Sequence, residues 1–582
     1  MGEVFSMIQG GLNISTLSGT SWKQVISNQI LPEFIFEVDT SLGDGLAEFE
    51  FSPSTSGTVD YTIEWGDTTS TVVSAAGSTN HTYSSGGIYE IKITTVSGIT
   101  NYNFNGSSDR AKLIDITNWG IYTGLTSFKD FLRDCDNIGL LSASDIPVLS
   151  SVTTFENIVR DSLNVDINFT GWDFSNIQSF KAAFRDAPQL LGTGFENVGV
   201  SSSAIDLSLF LTRNGILNKD LSLWDVSGVT GMWGTFNDSL FDGNISNWDT
   251  SSVTRFEDTF TAASFSGDLS LWSFASATTL LRTFKDATLF NSYVNLSVHS
   301  ATTLISLFEG ATIYNQDLSD MKVSTVTNMS NLFNGTALDN TNYRAMLQGW
   351  TGWNGSAPTK TLQSSVAVHF GTAQVECGST EWDIRQYLIG TLGWTITDGG
   401  VIETDACKFI FQVDTSLGDG LAEFEFIPST SGTVDYTIEW GDATSTVVSA
   451  GGATNHVYAS GGIYEIKLTI VSGILSYNFY GSSDRLKLID VLNWGTYSVP
   501  SFNAAFRSCT NLGSLTATDS PSLAIGCSFQ SAFRTCSNLN INFTNWDLSN
   551  VTIFDLAFAD CTSLTGVGVG GLGISSVCTN LI

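Results

Sequence analysis

The stretch WDVSGVTGMWGTFNDSLFDGNISNWDTSSVTRFEDTF, residues 224–260, contains one pattern twice. Trp224 and Trp248 lie 24 residues apart, and a phenylalanine follows each of them by 12 residues, as Phe236 and Phe260. A fixed period of about 20 to 50 residues is typical of proteins built from stacked repeats. The interval therefore predicts a repeat architecture, in which each repeat covers the apolar face of its neighbour.

The period extends well beyond this stretch, from Trp119 to the region of residue 340. The central apolar residues that follow the tryptophan positions are Leu132, Val159, Phe184, Phe210, Phe236, Phe260, Phe284, Phe308 and Phe333. Their spacing predicts a solenoid of about nine repeats over residues 101–340. Residues 341–400 break the period and contain helical stripes. We predict a capping block there, because an end repeat would otherwise expose its core.

The repeat at residues 243–262 illustrates the expected local structure. The segment NISNW is short and ends in an aromatic residue, which favours a strand. Val253, Phe256 and Phe260 follow at the i, i+3, i+7 spacing of a helical stripe. The sequence thus predicts strand, turn, short helix and loop in each repeat, with the tryptophan and phenylalanine series in the core.

Residues 32–100 follow a β pattern instead. Apolar and polar residues alternate in FIFEVDT, AEFEF, VDYTIEW and YEIKITTV, with turn-forming clusters between them, which favours a small sandwich. Residues 64–67, EWGD, and residues 80–89, NHTYSSGGIY, together resemble a PKD domain, an Ig-like sandwich of surface proteins. This copy has WGDTT where that family usually has GDG. We expect Asp67 to cap a turn and His81 to pack at a strand edge.

The chain then starts again. Phe34 recurs as Phe409 and Trp119 as Trp494, each 375 residues later, and DTSLGDGLAEFEF occurs unaltered in both copies. We predict a second PKD-like sandwich over residues 401–475 and a second solenoid over residues 476–582, truncated or uncapped. An uncapped end would be covered by further chain, by a partner or by another copy of the protein.

The repeats also resemble a known family. The segments WDVSGVTGMWGTF and WDTSSVTRFEDTF, and the segment KVSTVTNMSNLFNGT at residues 322–336, are similar to the repeats of BspA-type leucine-rich-repeat surface proteins. The two resemblances imply a multidomain, mainly β fold with short helices, in which two Ig-like (PKD-like) β-sandwiches alternate with two leucine-rich-repeat-type solenoids. Proteins that combine such sandwiches with such solenoids resemble proteins of the kind found among phage structural proteins.

Composition excludes some classes of partner. The net charge of −33 disfavours nucleic acid, since the chain would repel phosphate. No apolar run reaches about 18 residues, so no membrane span is expected.

The first residues lack the basic segment and apolar core of a signal peptide, which predicts no export by that route. We interpret residues 1–31 as an arm or anchor that docks on other virion proteins, with a disordered leader as the alternative.

Two sets of aspartates are candidate site residues. Weak calcium candidates lie in the two DTSLGDG segments, at Asp39, Asp44, Asp414 and Asp419. The aspartates that directly follow a repeat tryptophan form a candidate ladder on a binding face: Asp173, Asp225, Asp249 and Asp547. The alternative for the ladder is that each aspartate only caps a turn.

The cysteines and histidines indicate no catalytic or zinc site. Cys135, Cys509, Cys536 and Cys561 share one repeat position, where we expect a small buried apolar side chain. The spacing of the 8 cysteines and 4 histidines matches no zinc motif, and Cys377 has no partner at metal-ligand spacing. We therefore expect no enzyme activity and no cofactor other than calcium.

These patterns predict a non-enzymatic structural or adhesive protein on a virion surface. It would be a phage tail fibre, capsid fibre or decoration protein that displays its repeats to host polysaccharide or protein. A homo-oligomer is compatible with this role. The alternative is a bacterial cell-surface leucine-rich-repeat adhesin, located extracellularly. A third reading, accessory modules of a secreted carbohydrate-active enzyme, would need a further catalytic domain.

Overall fold

A computed structural model of the chain describes residues 32–198, 200–215, 219–355, 357–544 and 546–565. The predicted arm at residues 1–31 and the last part of the second predicted solenoid lie outside these residues. The chain divides into two compact units, residues 1–374 with 384–400 and residues 375–383 with 401–582. Each unit is described below by itself.

The strands in chain order are β1 (Phe34–Asp39), β2 (Glu48–Phe51), β3 (Ser54–Glu64), β4 (Ser70–Val73), β5 (Thr79–Thr82), β6 (Ile88–Asn101), β7 (Leu113–Asn118), β8 (Ala367–His369), β9 (Val375–Glu376), β10 (Thr395–Thr397), β11 (Val401–Ile402), β12 (Phe409–Asp414), β13 (Glu423–Phe426), β14 (Ser429–Glu439), β15 (Ser445–Val448), β16 (Thr454–Val457), β17 (Ile463–Ser476), β18 (Leu488–Asn493), β19 (Val499–Ser501), β20 (Leu523–Ser528) and β21 (Val551–Ile553). The α-helices are α1 (Asn340–Thr351) and α2 (Thr380–Gly390). Single 3-10 turns lie at Phe104–Gly106, Arg110–Lys112, Phe195–Asn197, Asp405–Cys407, Phe479–Gly481 and Arg485–Lys487. The described chain is thus mainly β, with few short helices.

The first unit begins with a five-stranded antiparallel sheet in the order β4-β3-β6-β1-β7 and a two-stranded sheet, β2-β5. Strands β1, β2, β3 and β6 lie where the apolar–polar alternation predicts them. Phe36 on β1 packs against Phe49 and Phe51 on β2, with ring centroids 5.8 and 6.0 Å apart. Strand β7 extends the sheet beyond residue 100, into the segment where the sequence predicts the first repeat.

The repeats of the first unit are joined by backbone hydrogen bonds between successive turns, not by helices. The amide of Phe256 donates to Thr279 of the next repeat over 3.2 Å, and the amide of Phe260 donates to Thr283 over 2.8 Å. The amide of Asp258 also donates to the next repeat, to Leu281 over 3.0 Å, whereas the amide of Thr259 closes a turn on Phe256 over 3.2 Å. The predicted strand at NISNW and the predicted helix from Val253 to Phe260 are therefore wrong for this repeat.

Left-handed backbone explains why these turns do not become a helix. Asp258 and Ala262 have φ of 55° and 54°, so the chain reverses its twist two residues before and two residues after Phe260. An α-helix needs continuous right-handed residues. The flanking pair recurs at Arg282 and Asp286. Hereafter these paired turns are called the turn ladder.

The turn ladder also fixes which residue is central in each repeat. Leu209 and Arg213 have φ of 59° and 50°, and the residue midway between them is Leu211. The amide of Leu211 donates to Thr235 of the next repeat over 2.8 Å, as the amides of the other central residues do. The prediction of Phe210 as the central residue of this repeat is therefore wrong by one residue.

The tryptophan and phenylalanine series form the core, as predicted. Trp224, Trp248 and Trp272 are at most 3% exposed, and neighbouring indoles stack with centroids 6.3 and 5.9 Å apart. The central phenylalanines stack in the same way, at 5.1 to 5.7 Å, through Phe236, Phe260, Phe284, Phe308 and Phe333. These rings are therefore packing residues and not a ligand platform.

Residues 341–374 and 384–400 continue this core. Helix α1 starts at an aspartate cap, since Asp339 accepts from the amide of Asn342 over 2.9 Å, and it ends at Gly352 in the left-handed region. Strand β8 accepts the hydrogen bond of the last predicted repeat, from Phe333 to His369, and pairs with β10 in parallel. Phe370 stacks on Phe333 at 6.1 Å.

The second unit repeats the local plan. Its five-stranded sheet has the order β15-β14-β17-β12-β18, with β13-β16 as the two-stranded sheet. The register of β12 against β17, Phe409 opposite Leu468, matches that of β1 against β6. Parallel strands β19-β20-β21 follow, over stacked Phe506, Phe533 and Phe558 at 5.0 and 5.5 Å.

Candidate functional site

The ladder aspartates lie in exposed turns and accept hydrogen bonds from their own repeat. Each carboxylate accepts from the amide two residues later, at 2.9 to 3.1 Å. The pairs are Asp173 with Ser175, Asp225 with Ser227, Asp249 with Ser251, and Asp547 with Ser549. The hydrogen bonds from Ser251 hold the pKa of Asp249 below its usual value. This geometry agrees with the turn-capping alternative, and a binding role for the ladder stays a prediction.

The predicted calcium candidates also have protein partners. Asp39 accepts from the amide and hydroxyl of Ser41, and Asp44 forms an ion pair with Lys112 at 2.8 Å. The Lys112 ammonium is buried and also contacts Asp109 at 2.6 Å. Asp44 therefore already has a cation of the protein as its partner.

The second copy has the same arrangement. Asp414 accepts from Ser416, and Asp419 pairs with the buried Lys487 at 2.8 Å, while Lys487 also contacts Asp484 at 2.6 Å. The buried lysine was not singled out from the sequence, since an isolated lysine in RAK or RLK gives no signal of burial. Calcium at either copy stays a prediction.

Asp67 and His81 are brought together beside Trp65. The His81 Nε2 and Asp67 Oδ2 atoms lie 2.8 Å apart, and the imidazole stacks on the Trp65 indole with centroids 4.9 Å apart. Asp67 also accepts from the amide and hydroxyl of Thr69 at 3.0 and 2.5 Å. Hydrogen bonds from Thr69 first, and then His81, lower the pKa of Asp67 to about 2. Asp67 therefore caps a turn, as predicted.

Trp440, Asp442 and His456 repeat this cluster in the second unit, with the same 2.8 Å contact between histidine and aspartate. The imidazole is sandwiched by the indole and the edge of a tyrosine in both copies. Such a stacked, aspartate-bound histidine holds a turn in place.

Among the described residues, the cysteines are five free thiols, of which Cys561 is only partly buried where a buried side chain was expected, and one disulfide. Cys135, Cys509 and Cys536 are fully buried at their shared repeat position, as expected, and burial raises the pKa of the Cys536 thiol to about 12. Cys377 and Cys407 form a disulfide within the second unit. The sequence did not reveal this pair, because the two cysteines lie 30 residues apart in different predicted segments. Glu403 has a carboxylate oxygen near both sulfurs.

Two shallow cavities that share Ser297 lie side by side on successive repeats of the first unit. One part, of about 380 Å³, is lined by residues that include Ser270, Leu271, Asn295 and Val298. The adjoining part, of about 220 Å³, is lined by Asp320, Lys322, Ser324, Lys360 and Thr361 among others, and Ser297 lines both. We call this surface the inter-repeat groove. Its exposed lining residues share no sequence motif, although the buried periodic residues Trp272 and Met321 also border it.

Across the described ranges, no helix is long and apolar enough to cross a membrane.

Comparison with known proteins identifies the repeats. Neither the curated proteins nor the solved structures compared with this chain include a match. A family model described as "Mycoplasma protein of unknown function, DUF285" matches residues 104–204, 205–297, 294–360 and 474–576. These matches agree with the predicted BspA-type repeats, and they cover more than half of the chain. The chain therefore belongs to the DUF285 family of repeat proteins.

Proposed function

We propose that this protein is a non-enzymatic structural and adhesive protein of a virion surface, such as a phage tail fibre, capsid fibre or decoration protein. The observation that carries the proposal is the turn ladder. Its backbone hydrogen bonds join successive repeats, so that exposed side chains at one repeat position recur along the stack. A surface of this kind suits many weak contacts with a repetitive partner, such as surface polysaccharide, better than it suits catalysis. Host protein is the second class of partner.

At the level of the fold, the proposal describes two leucine-rich-repeat-type solenoids, each following an Ig-like (PKD-like) sandwich. Support comes from the packing of β1 on β2 in the first unit and from the parallel bridges between repeats, such as Arg255 with Thr279. We further propose that the arm at residues 1–31 docks on other virion proteins, and that copies of the chain associate.

The Cys377–Cys407 disulfide supports a location outside the reducing cytoplasm. Disulfides persist mainly in secreted proteins, in the periplasm and on virion or cell surfaces. The disulfide is equally expected of a virion protein and of a cell-surface protein.

The second candidate function is that of a bacterial cell-surface adhesin. The family description favours it, because it names proteins of Mycoplasma. Both candidates share an exposed, adhesive repeat surface and differ in the particle that carries it.

The experiment that separates the two candidates is mass spectrometry of purified particles. If the chain is a virion protein, its peptides will co-purify with virions through a density gradient at a constant ratio to capsid protein. If it is an adhesin, its peptides will instead be released from intact cells by brief external proteolysis. Absence from every virion preparation would refute the virion proposal.

A further inference from the structure

The inter-repeat groove is built from adjacent backbone segments and is therefore a fixed surface. The amide of Lys322 donates to Leu296 of the preceding repeat over 3.0 Å, and the Gln363 side chain donates to Ser324 over 2.8 Å. Adjacent paired backbones lie about 4.8 Å apart. Three repeats therefore give a groove that runs for roughly 10 Å along the stack.

Two lysines give the groove a local positive charge in a strongly acidic chain. The Lys322 Nζ donates to the carbonyl of His299 over 3.0 Å, and the Lys360 Nζ donates to the carbonyl of Gly349 over 2.5 Å. Within the part of the chain that the structure describes, neither ammonium has a carboxylate within 4.0 Å. An ammonium has three donors, so one carbonyl leaves the others available.

This arrangement is uncommon for this protein, which has 57 acidic and 24 basic residues. Most other described lysines of the first unit pair with carboxylates, as Lys129 does with Glu156 and Lys285 with Glu309, and Lys181 is the exception. The carboxylate of Asp320 also lines the groove, where it accepts from the Tyr293 hydroxyl over 2.7 Å. The groove thus combines two carbonyl-bound ammonium groups with one carboxylate that has a donor of its own.

The other part of the groove is apolar and hydroxyl-rich. Leu271 and Val298 are 70% and 60% exposed, although they lie between buried core residues. Hydroxyl and amide side chains surround them, including Ser270, Ser297 and Asn295. Exposed aliphatic groups beside hydrogen-bonding side chains match a sugar ring, which has C–H faces and hydroxyl edges.

We propose that the inter-repeat groove binds an extended anionic polysaccharide. Carboxylate groups of the polymer contact Lys322 and Lys360, and ring faces rest on Leu271 and Val298. This inference rests on the proposed function as an attachment protein and names its ligand class and its site. The hydroxyl-rich lining favours a polysaccharide over an acidic peptide, which would use backbone amides that the repeats already pair with one another.

The test is titration calorimetry of the full chain with polygalacturonate, whose every ring carries a carboxylate. We expect binding that weakens with added salt. The double variant Lys322→Gln/Lys360→Gln should bind at least roughly tenfold more weakly and with less salt dependence, because it loses two charge-assisted contacts. Lys360 is exposed, so Lys360→Gln alone still tests the inference if the double variant fails to fold.

Two matched controls distinguish binding in the groove from nonspecific effects of surface charge and surface hydrophobicity. Lys181→Gln removes an exposed lysine of an earlier repeat, outside the groove, and should leave affinity unchanged. Leu271→Ser should weaken binding severalfold, whereas Leu223→Ser should not. Leu223 is 78% exposed and precedes Trp224 as Leu271 precedes Trp272, two repeats earlier.

Distinct outcomes overturn the inference and the proposed function. Unchanged affinity of the Lys360→Gln variant would place the polymer elsewhere and refute the groove. Equal or tighter binding of poly-glutamate would show that the ligand is an acidic peptide. Binding of neutral dextran without binding of polygalacturonate would refute the anionic class but keep the attachment function. Failure to bind polysaccharide of either kind would count against both.

Discussion

At the scale of single residues, aspartate side chains hold the turns of the repeats. Asp249 accepts from the amide of Ser251 over 3.0 Å, and Asn244 does the same for Ser246 over 3.1 Å with an amide oxygen. A short side chain with an oxygen acceptor is thus what these two turns of the repeat have in common. Charge is secondary to it.

Replacing Asp249 tests the capping role. Asp249→Ala should lower the free energy of unfolding by about 1 kcal/mol, because the amide of Ser251 loses its acceptor. Urea denaturation followed by circular dichroism measures the change. Asp249→Asn is the control, since it keeps the acceptor and should retain most of the stability. An equal loss in both variants would show that the charge, and not the cap, is what matters.

Asp67 and Asp442 should make stability depend on acid pH. In the folded protein the pKa of each is lowered to about 2, by hydrogen bonds from Thr69 or Thr444 first and from the histidine next. An unfolded aspartate has a pKa of about 3.9. The contribution is therefore fully present above about pH 4 and is lost as the pH falls through about 2.

The double variant Asp67→Asn/Asp442→Asn should flatten this acid limb. Thermal melting temperatures measured between pH 6 and pH 2 should fall less steeply than in the unaltered protein. Asp60→Asn is the control, because Asp60 has no side-chain hydrogen bond among the described residues. An unchanged slope in the double variant would refute the linkage.

At the scale of the element, the turn ladder depends on residues that tolerate positive φ. Glycine takes this place at Gly310 and Gly335, both with φ of 74°, while Asp286 and Ala262 take it in other repeats with φ of 56° and 54°. Non-glycine residues pay a conformational cost there. The backbone hydrogen bonds that join each turn to the next repeat must therefore stabilise the fold by more free energy than this conformational cost.

Gly335→Ala isolates the conformational cost. A Cβ at Gly335 would meet only Gly310 atoms at 3.6 Å, an ordinary contact, so the backbone angle alone should destabilise the protein by roughly 1 to 2 kcal/mol. Gly139→Ala is the matched control, since a Cβ there meets nothing within 4 Å and its φ is not positive. Chemical denaturation should show Gly139→Ala neutral or slightly stabilising. Equal effects in the two variants would contradict the prediction.

At the scale of the whole molecule, the disulfide is the one covalent crosslink in the described part of the chain. Its cysteines lie 30 residues apart. Closing a loop of this length removes entropy from the unfolded chain worth about 3 to 4 kcal/mol. The disulfide should therefore stabilise the second unit, in which both cysteines lie.

The variant Cys377→Ser/Cys407→Ser should melt at a lower temperature than the unaltered protein. Dithiothreitol should lower the melting temperature of the unaltered protein toward that of the variant and leave the variant unchanged. Mass spectrometry after alkylation should find Cys377 and Cys407 protected until reduction. If reduction leaves the melting temperature unchanged, the crosslink does not stabilise the fold.

Much of the plan could be predicted from periodicity. The 24-residue interval located the stacked aromatic core, and two-residue alternation located β1, β2, β3 and β6. The internal structure of a repeat could not be predicted in this way. Val253, Phe256 and Phe260 have helical spacing, but a four-residue turn with left-handed flanks also places Phe256 and Phe260 on one side.

Less of the candidate site than of the fold could be predicted from the sequence. The ladder aspartates were found because they follow a periodic tryptophan, and their turn-capping geometry was one of two readings. The inter-repeat groove was missed, since Leu271, Lys322 and Lys360 share no motif and come together only when repeats stack. The buried Lys112 and the disulfide were missed for the same reason, because each depends on a contact between distant segments.

The sequence by itself determined the duplication, the repeat interval and the identity of the core, because burial demands apolar side chains at a regular spacing. Only the tertiary structure decided how each repeat turns and which residues share its surface. Backbone pairing between repeats favours left-handed turns over a local helix, and such pairing acts across about 24 residues where local propensity does not reach. The aromatic positions of the 224–260 stretch therefore fix the stacking and the residues between them form its turns, while the inter-repeat groove is formed by later repeats.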